Sequence, residues 1–231
     1  MHILGFQKTT LLDYPGKLAA TIFLGGCNFR CPFCHNREIV VHPNQSNELD
    51  RSEILHTLSK RSNILDAVCI TGGEPTLFPD LPELIKEIRE LGLLVKLDTN
   101  GSNPDMLQSL IDQKLLDYVA MDLKNSPSKY PLTIGHSLDL DKIYTSVDLL
   151  KQNMVDYEFR TTVVKELHNA QDFVEIGQWI SGAKRYYLQN FVNSDRLICP
   201  NVFSSYPKES LLQFLTLLRP YVTEVDLRGI D

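Results

Sequence analysis

The chain has 231 residues, 43% hydrophobic and 23% charged, with a formal net charge of −6 at pH 7. That length suits one domain with a real hydrophobic core, and the composition is that of a soluble globular chain. The acidic balance argues against a broad nucleic-acid face, which would be basic, and the most apolar run, residues 18–26, is far too short to span a bilayer.

The first five residues offer neither a basic start nor a long apolar run, so no signal peptide is expected. Residues 1–17 read as a lead-in that covers part of a sheet. Strands are predicted at 18–24 and 66–71, followed by a helical face of Leu84, Ile85, Ile88 and Leu91. A strand at 93–99 leads to Asn103-Pro104, an N-cap followed by proline at the first helical position. That pair opens a helix on Met106, Leu107, Leu110 and Ile111. A strand at 117–123 precedes residues 125–137, whose two prolines and one glycine predict a long loop. Helical faces then follow on Ile143, Val147 and Leu150, on Phe173, Ile176 and Ile180, and on Leu211, Phe214, Leu215 and Leu218. They alternate with strands predicted at 157–164, 184–189 and 222–227. Repeated strand-then-helix units imply an α/β fold with a parallel sheet. About six units are too few for a complete eight-fold barrel. A partial, open (β/α)6-type barrel over residues 18–191 is expected, with 192–231 adding a C-terminal helix and strand. A doubly wound sheet is the alternative. In either fold, function gathers at the C-terminal ends of the strands.

Directly after the first predicted strand comes Gly25-Gly26-Cys27-Asn28-Phe29-Arg30-Cys31-Pro32-Phe33-Cys34-His35-Asn36. Five cysteines, with three inside eight residues, do not resemble a secreted disulfide framework, so reduced thiols and a cytoplasmic location are expected. Three thiolates at C-x3-C-x2-C spacing can wrap one loop around a face of an iron–sulfur cubane. Such clusters usually take four cysteines, so three leave one iron open to another ligand. The alternative is zinc with His35 as the fourth ligand, although His35 adjoins Cys34 and neighbouring residues rarely point at one metal.

Thr71-Gly72-Gly73-Glu74-Pro75 closes the second strand. Its glycines permit close backbone approach to a ligand, its polar backbone can hold an ammonium and a carboxylate, and Glu74 can secure the loop. A plain tight turn is the alternative. Asp98-Thr99-Asn100-Gly101 and Met121-Asp122-Leu123-Lys124 end the next two strands and bring two carboxylates to the mouth of the barrel, unless they merely cap loops. Arg160, inside a β-prone run, has work to do if it faces inward. Cys69 reads as a small core residue, and Cys199 as an isolated thiol. His2, His42, His56, His136 and His168 have no partners at ligand spacing and read as surface or loop residues.

C-x3-C-x-aromatic-C resembles the signature of the radical S-adenosylmethionine (SAM) superfamily. The resemblance implies one [4Fe-4S] cluster on Cys27, Cys31 and Cys34, with SAM chelating the open iron. An electron from the cluster then cleaves SAM to methionine and a 5′-deoxyadenosyl radical. It further implies that the backbone at Phe33 lies against the adenine and that Gly72, Gly73 and Glu74 form the loop for the SAM amino group. Asn100, Lys124 and Arg160 are placed near SAM. Asp98, Thr99 and Asp122 can share a monovalent cation beside the SAM carboxylate, which would relieve like-charge repulsion. Gln189 stands where pyruvate formate-lyase activating enzymes carry a histidine.

Residues 5–17, the cysteine loop, Asp-Thr-Asn-Gly, Met-Asp-Leu-Lys and Tyr187-Leu188-Gln189-Asn190-Phe191 together are similar to anaerobic ribonucleoside-triphosphate reductase activating proteins. This implies a glycyl-radical enzyme as protein partner, a low-potential electron donor such as flavodoxin or ferredoxin, and neither nucleic acid nor membrane. No cysteine lies between Cys34 and Cys69, so a ferredoxin-like insert is not expected there. No Arg-Val-x-Gly-Tyr motif appears, and the terminal Leu227-Arg228-Gly229-Ile230-Asp231 is only a superficial echo of it. The radical is therefore expected to reach another protein. An activase of a pyruvate formate-lyase-type enzyme and a small-molecule enzyme such as a deazaguanine synthase are the alternatives.

Overall fold

Strand-forming runs and amphipathic runs alternate along the chain, and the computed structural model, which describes residues 1–45 and 47–229, stacks them in that order. Eight strands form one sheet in sequence order: β1 (Ile3–Thr10), β2 (Ala19–Leu24), β3 (Ala67–Gly72), β4 (Leu94–Thr99), β5 (Tyr118–Asp122), β6 (Asp156–Val163), β7 (Arg185–Asn190) and β8 (Glu224–Arg228). From β2 to β8 every pairing is parallel. Among the described residues β1 and β8 are edges that do not pair, so the barrel is open. The helices are α1 (Arg37–Val41), α2 (Arg51–Arg61), α3 (Leu81–Glu90), α4 (Pro104–Asp112), α5 (Tyr130–Ile134), α6 (Leu140–Lys151), α7 (Ala170–Trp179) and α8 (Lys208–Leu218).

Period-two alternation gives the sheet two unlike faces. Val68 and Ile70, Val95 and Leu97, and Tyr157 and Phe159 are all fully buried on the face that the helices cover. Each helix contributes an apolar stripe there: in α3, Leu81, Leu84, Ile85 and Ile88 are all 0% exposed. Burying each such side chain stabilises the fold by about 1.5–3 kcal/mol. The opposite face carries Lys96, Asp98, Asp122, Glu158 and Arg160, all at alternate positions. Tyr14, in the β1–β2 connection, packs on Tyr118 of β5 with ring centroids 5.7 Å apart. Three strand spacings, roughly 14 Å, separate β2 from β5, so the sheet must curl around this polar face.

Three segments depart from the sequence reading. Residues 1–17 are not merely a lead-in, because Ile3–Thr10 joins the sheet antiparallel to β2. As an edge strand it buries only Ile3 and Thr10, so its apolar signal is weak. Helix α2 went unread because it buries only Ile54 and Leu58; Asp50 caps it by accepting from the Ser52 and Glu53 amides. Residues 125–137 are not a long loop. Pro127 opens a 3-10 turn, Pro131 lies in the first turn of α5, and Gly135 ends α5 in the left-handed conformation (φ 65°). Prolines that looked like loop punctuation are helix starts. Of the C-terminal echo, Leu227 and Arg228 lie in β8, while Ile230 and Asp231 lie outside the described residues.

Candidate functional site

Beyond Leu24 the chain turns through Gly25 and Gly26 into the cysteine loop, which is held from three sides. The Gly26 carbonyl accepts from the Glu74 amide at 2.9 Å, and the Gly26 amide donates to Ile39 at 2.7 Å. The Arg30 amide donates to Ile134 of α5 at 2.9 Å. On the far side the Ile198 and Cys199 amides donate to the carbonyls of Cys34 (3.2 Å) and Pro32 (2.8 Å). Cys199, read as isolated, therefore abuts the loop through its backbone. Cys27, Cys31 and Cys34 are free thiols that line one cavity of about 190 Å³. Burial pushes Cys27 up to about 11 and Cys31 to about 12, and raises Cys34 as well. Thiols must lose their protons to bind metal, and burial works against that loss here.

Three thiols on one loop fit an iron–sulfur cubane with one iron left open. Among the described residues no three His, Cys, Asp or Glu side chains converge on a single-ion site. A cubane instead offers a separate iron at each corner. His35, the alternative fourth ligand, directs Nε2 at the Val192 carbonyl, 2.7 Å away. Two donors already point at Cys27 Sγ: the Phe29 amide at 3.3 Å and Asn100 Nδ2 at 3.8 Å.

The Gly-Gly-Glu loop packs directly on the cysteine loop. A Cβ on Gly73 would lie 1.8 Å from the Gly26 carbonyl oxygen, and Gly72, at φ +117°, would drive one to 2.4 Å from the Leu24 carbonyl. The glycines are thus required by a backbone–backbone approach, while both still line the cavity. Glu74 does not reach it. Fully buried, its carboxylate accepts from the Thr76 amide (3.1 Å) and hydroxyl (2.5 Å), the Thr99 hydroxyl (2.7 Å) and the Asn100 amide (2.6 Å). It joins two loops from behind. Burial raises its carboxyl, and these four donors oppose the rise.

Asp98, Thr99, Asn100, Asp122 and Lys124 line the cavity, as does Phe33, which packs edge-on against Phe203 with centroids 6.5 Å apart. Arg160 faces inward, beneath the two aspartates. Its Nε donates to Asp122 Oδ1 at 2.9 Å and its Nη1 to Asp98 Oδ2 at 3.3 Å. Lys124 Nζ donates to Asp122 Oδ2 at 2.9 Å, and Lys96 Nζ is ion-paired with Asp98 Oδ1. Burial would raise both carboxyls, but the cations outweigh it: Arg160 and Lys96 hold Asp98 low, while Arg160 and Lys124 bring Asp122 down to about 2. Every oxygen of the carboxylate pair therefore faces a cationic nitrogen, and the Thr99 hydroxyl is turned to Glu74. Asp98, Thr99 and Asp122, the ligands that the resemblance implies for a monovalent cation, all line the cavity. Gln189 stands outside the cavity lining, in register with Thr162 and Arg228.

Sequence reasoning missed Lys96, Thr71 and Thr162. Lys96 lies two residues before Asp98 and so shares its face, a signal that was available. Asn28 was also missed: it accepts from Asn100 Nδ2 at 3.0 Å and donates to Ser102 at 2.8 Å, tying the cysteine loop to the loop after β4. His168 is not a surface residue. Only 2% exposed, it contacts the Lys124 carbonyl through Nε2 at 2.9 Å and stacks on Phe173. It thereby holds the segment that carries Lys124.

The profile of the radical SAM superfamily matches residues 21–180. The chain belongs to the radical SAM superfamily. It is 34% identical over 233 residues to a protein of Methanocaldococcus jannaschii named as a glycyl-radical enzyme activating enzyme, across 98% of this chain and 95% of that one. To the pyruvate formate-lyase-activating enzyme of Staphylococcus aureus it is 29% identical over 134 residues, or 54% of this chain and 53% of that enzyme. The structure of SuiB from Streptococcus suis bound to S-adenosylmethionine shares the fold, with a TM-score of 0.70 at 16% identity. That likeness covers 91% of this chain and 52% of SuiB, so the chain spans about half of SuiB's length. As a radical SAM enzyme the chain is implied to use a [4Fe-4S] cluster and SAM. Among the described residues no helix is long and apolar enough to cross a membrane.

Proposed function

We propose that this radical SAM enzyme is a glycyl-radical enzyme activase whose partner is an anaerobic ribonucleoside-triphosphate reductase. The observation that carries the activase reading is the 34% identity that runs through 98% of the chain and 95% of a relative of that name. Cys27, Cys31 and Cys34 would hold the cluster, and the cavity beside them would take SAM. When bound, cluster and SAM together supply reductive cleavage of SAM and a carbon radical that removes a hydrogen atom from glycine. Gly72 and Gly73 keep the backbone close behind the cysteine loop, where the amino group of SAM is expected. The backbone at Phe33, which lines the cavity, lies where the adenine is expected. Lys124 and Arg160 place positive charge where a substrate carboxylate would arrive, and Asp98 and Asp122 hold both cations in place. Asn100 directs Nδ2 toward Cys27 Sγ at 3.8 Å, and the Phe29 amide, which donates to the same sulfur, opposes the rise that burial imposes on it. Gln189, beside Thr162 on the neighbouring strand, lies outside the cavity lining and is assigned no contact with SAM.

A radical of this kind cannot diffuse, so the target glycine must enter the mouth on a loop of its own protein. The rim suits a protein. Leu132 of α5, Val192 and Val202 are 71%, 62% and 59% exposed, and the segments carrying them pack on the cysteine loop or its Phe33. A low-potential flavodoxin or ferredoxin is the expected electron donor. The test is electron paramagnetic resonance on anaerobic mixtures of reduced protein, SAM and candidate partners. A glycyl doublet on the reductase is expected. A doublet only on a formate-lyase-type enzyme would overturn the partner and keep the activase. Cleavage of SAM with no doublet on any glycyl-radical enzyme would favour a small-molecule substrate.

A further inference from the structure

The buried ionic cluster beneath the cavity contains one group that neither the motifs nor the relatives assign. Lys96 lies on β4, two residues before Asp98, and is 1% exposed. Its ammonium meets Asp98 Oδ1 and approaches Cys69 Sγ at 3.8 Å. A lysine is almost never buried without a charge to answer. Asp98 already has Arg160 on its other oxygen, so Lys96 is not needed merely to neutralise that carboxylate. Around Asp98 and Asp122 stand three cations, Lys96, Lys124 and Arg160, while Glu158, which also acts on Arg160, is paired with Arg228. Asp98, Asp122 and Lys124 line the cavity that is to receive the carboxylate of SAM.

A mobile alkali ion at the same place would face three fixed positive charges and find every carboxylate oxygen engaged. The Thr99 hydroxyl, a further expected ligand, donates to Glu74 at 2.7 Å and accepts from the Gly101 amide at 3.0 Å. We propose that Lys96 is a tethered counter-ion that takes the place of a free monovalent cation beneath SAM, so that SAM binding by this protein is independent of alkali metals. The proposal rests on the reading that SAM occupies this mouth. Lys96 is a positioning residue: it holds Asp98, and through it Arg160, in the arrangement that meets the substrate.

The test is SAM binding by equilibrium dialysis to the anaerobically reconstituted protein, at constant ionic strength, with potassium replaced stepwise by tetramethylammonium. Tetramethylammonium carries the charge but is too bulky for a cavity cation site. The native protein should bind SAM with affinity unchanged within about twofold across the series. Lys96→Met should lose about tenfold in tetramethylammonium, equivalent to about 1.4 kcal/mol, and recover most of it in potassium. A merely structural lysine would give a loss that potassium does not repair, and that result would overturn the proposal. So would native binding that tightens tenfold with potassium, a measurement that needs no variant to fold and leaves SAM assigned to the mouth. Native protein that holds its iron but binds no SAM in either salt would overturn the reading of the mouth, and the proposal with it.

Discussion

Removing the guanidinium from Arg160 is the sharpest test of how the polar face holds together. In Arg160→Met the aliphatic stem is largely kept, while Asp98 and Asp122 lose the group that bridges them at 3.3 and 2.9 Å. Breaking a buried ion pair costs about 3–5 kcal/mol, because a desolvated charge is left behind. Lys96 and Lys124 remain, and the Asp122 side chain is 29% exposed, so the lower end, about 3 kcal/mol, applies here. With a urea m-value of about 3 kcal/mol per molar, the midpoint should fall by roughly 1 M. The sign of the pH dependence follows from Asp122, whose carboxyl is brought from its ordinary 3.8 down to about 2. A depressed carboxylate contributes stability that is present above 3.8 and lost as the pH falls through about 2. The gap between native and variant should therefore be full at neutral pH and narrow progressively below about pH 4. Urea titrations of the iron-free protein, followed by far-UV circular dichroism at several pH values, measure it without interference from cluster loss. A gap under about 0.5 kcal/mol at neutral pH, the range of an ordinary surface substitution, or one that does not narrow in acid, would refute the reasoning.

Gly73→Ala places a methyl 1.8 Å from the Gly26 carbonyl; it should cost about 1–3 kcal/mol and lower bound iron severalfold, read by iron analysis beside thermal melting. Glu74→Gln sets an NH2 either against the Asn100 N–H or against the Thr76 and Thr99 donors, whichever oxygen it replaces. The loss should be about 1–3 kcal/mol by denaturant titration, with Glu74→Ala no better. Arg228→Ala strips the fully buried Glu158 of its two-nitrogen partner; amide exchange in β8 and β7 should accelerate well before that in β3 and β4, and uniform exchange would count against it. Iron analysis of single cysteine variants completes the set. Cys27→Ala, Cys31→Ala or Cys34→Ala should abolish the binding of about four irons per chain, whereas Cys69→Ala and Cys199→Ala should retain it.

The legible features share a property: each is written within about ten residues of sequence. The cysteine loop is contiguous, from Cys27 to Cys34. Asn103-Pro104 caps its own helix, as the Asn103 contact to the Met106 amide at 3.4 Å bears out. The strands from 18–24 onward announce themselves through short apolar runs, and their observed bounds differ by only a residue or two. Poorly legible elements had too little burial to leave a pattern. β1 is exposed along its middle, α2 hides two side chains, and α5 is a single turn introduced by prolines.

The sequence by itself determined the order of the strands from β2 onward and of the longer helices from α3, the cysteine loop and the placing of polar loops at the strand ends. These follow from side-chain period and local turn chemistry. Only the tertiary structure decided which charges meet. Nothing local says that Arg160 on β6 will reach across β5 to Asp98 on β4, that Lys96 answers the same carboxylate, or that Glu74 turns away from the cavity to bind Thr99 and Asn100. Pairings of that kind depend on how far the sheet curls and which strand lies beside which. The packing of the helices on the sheet sets that curl, and no short run of residues encodes it.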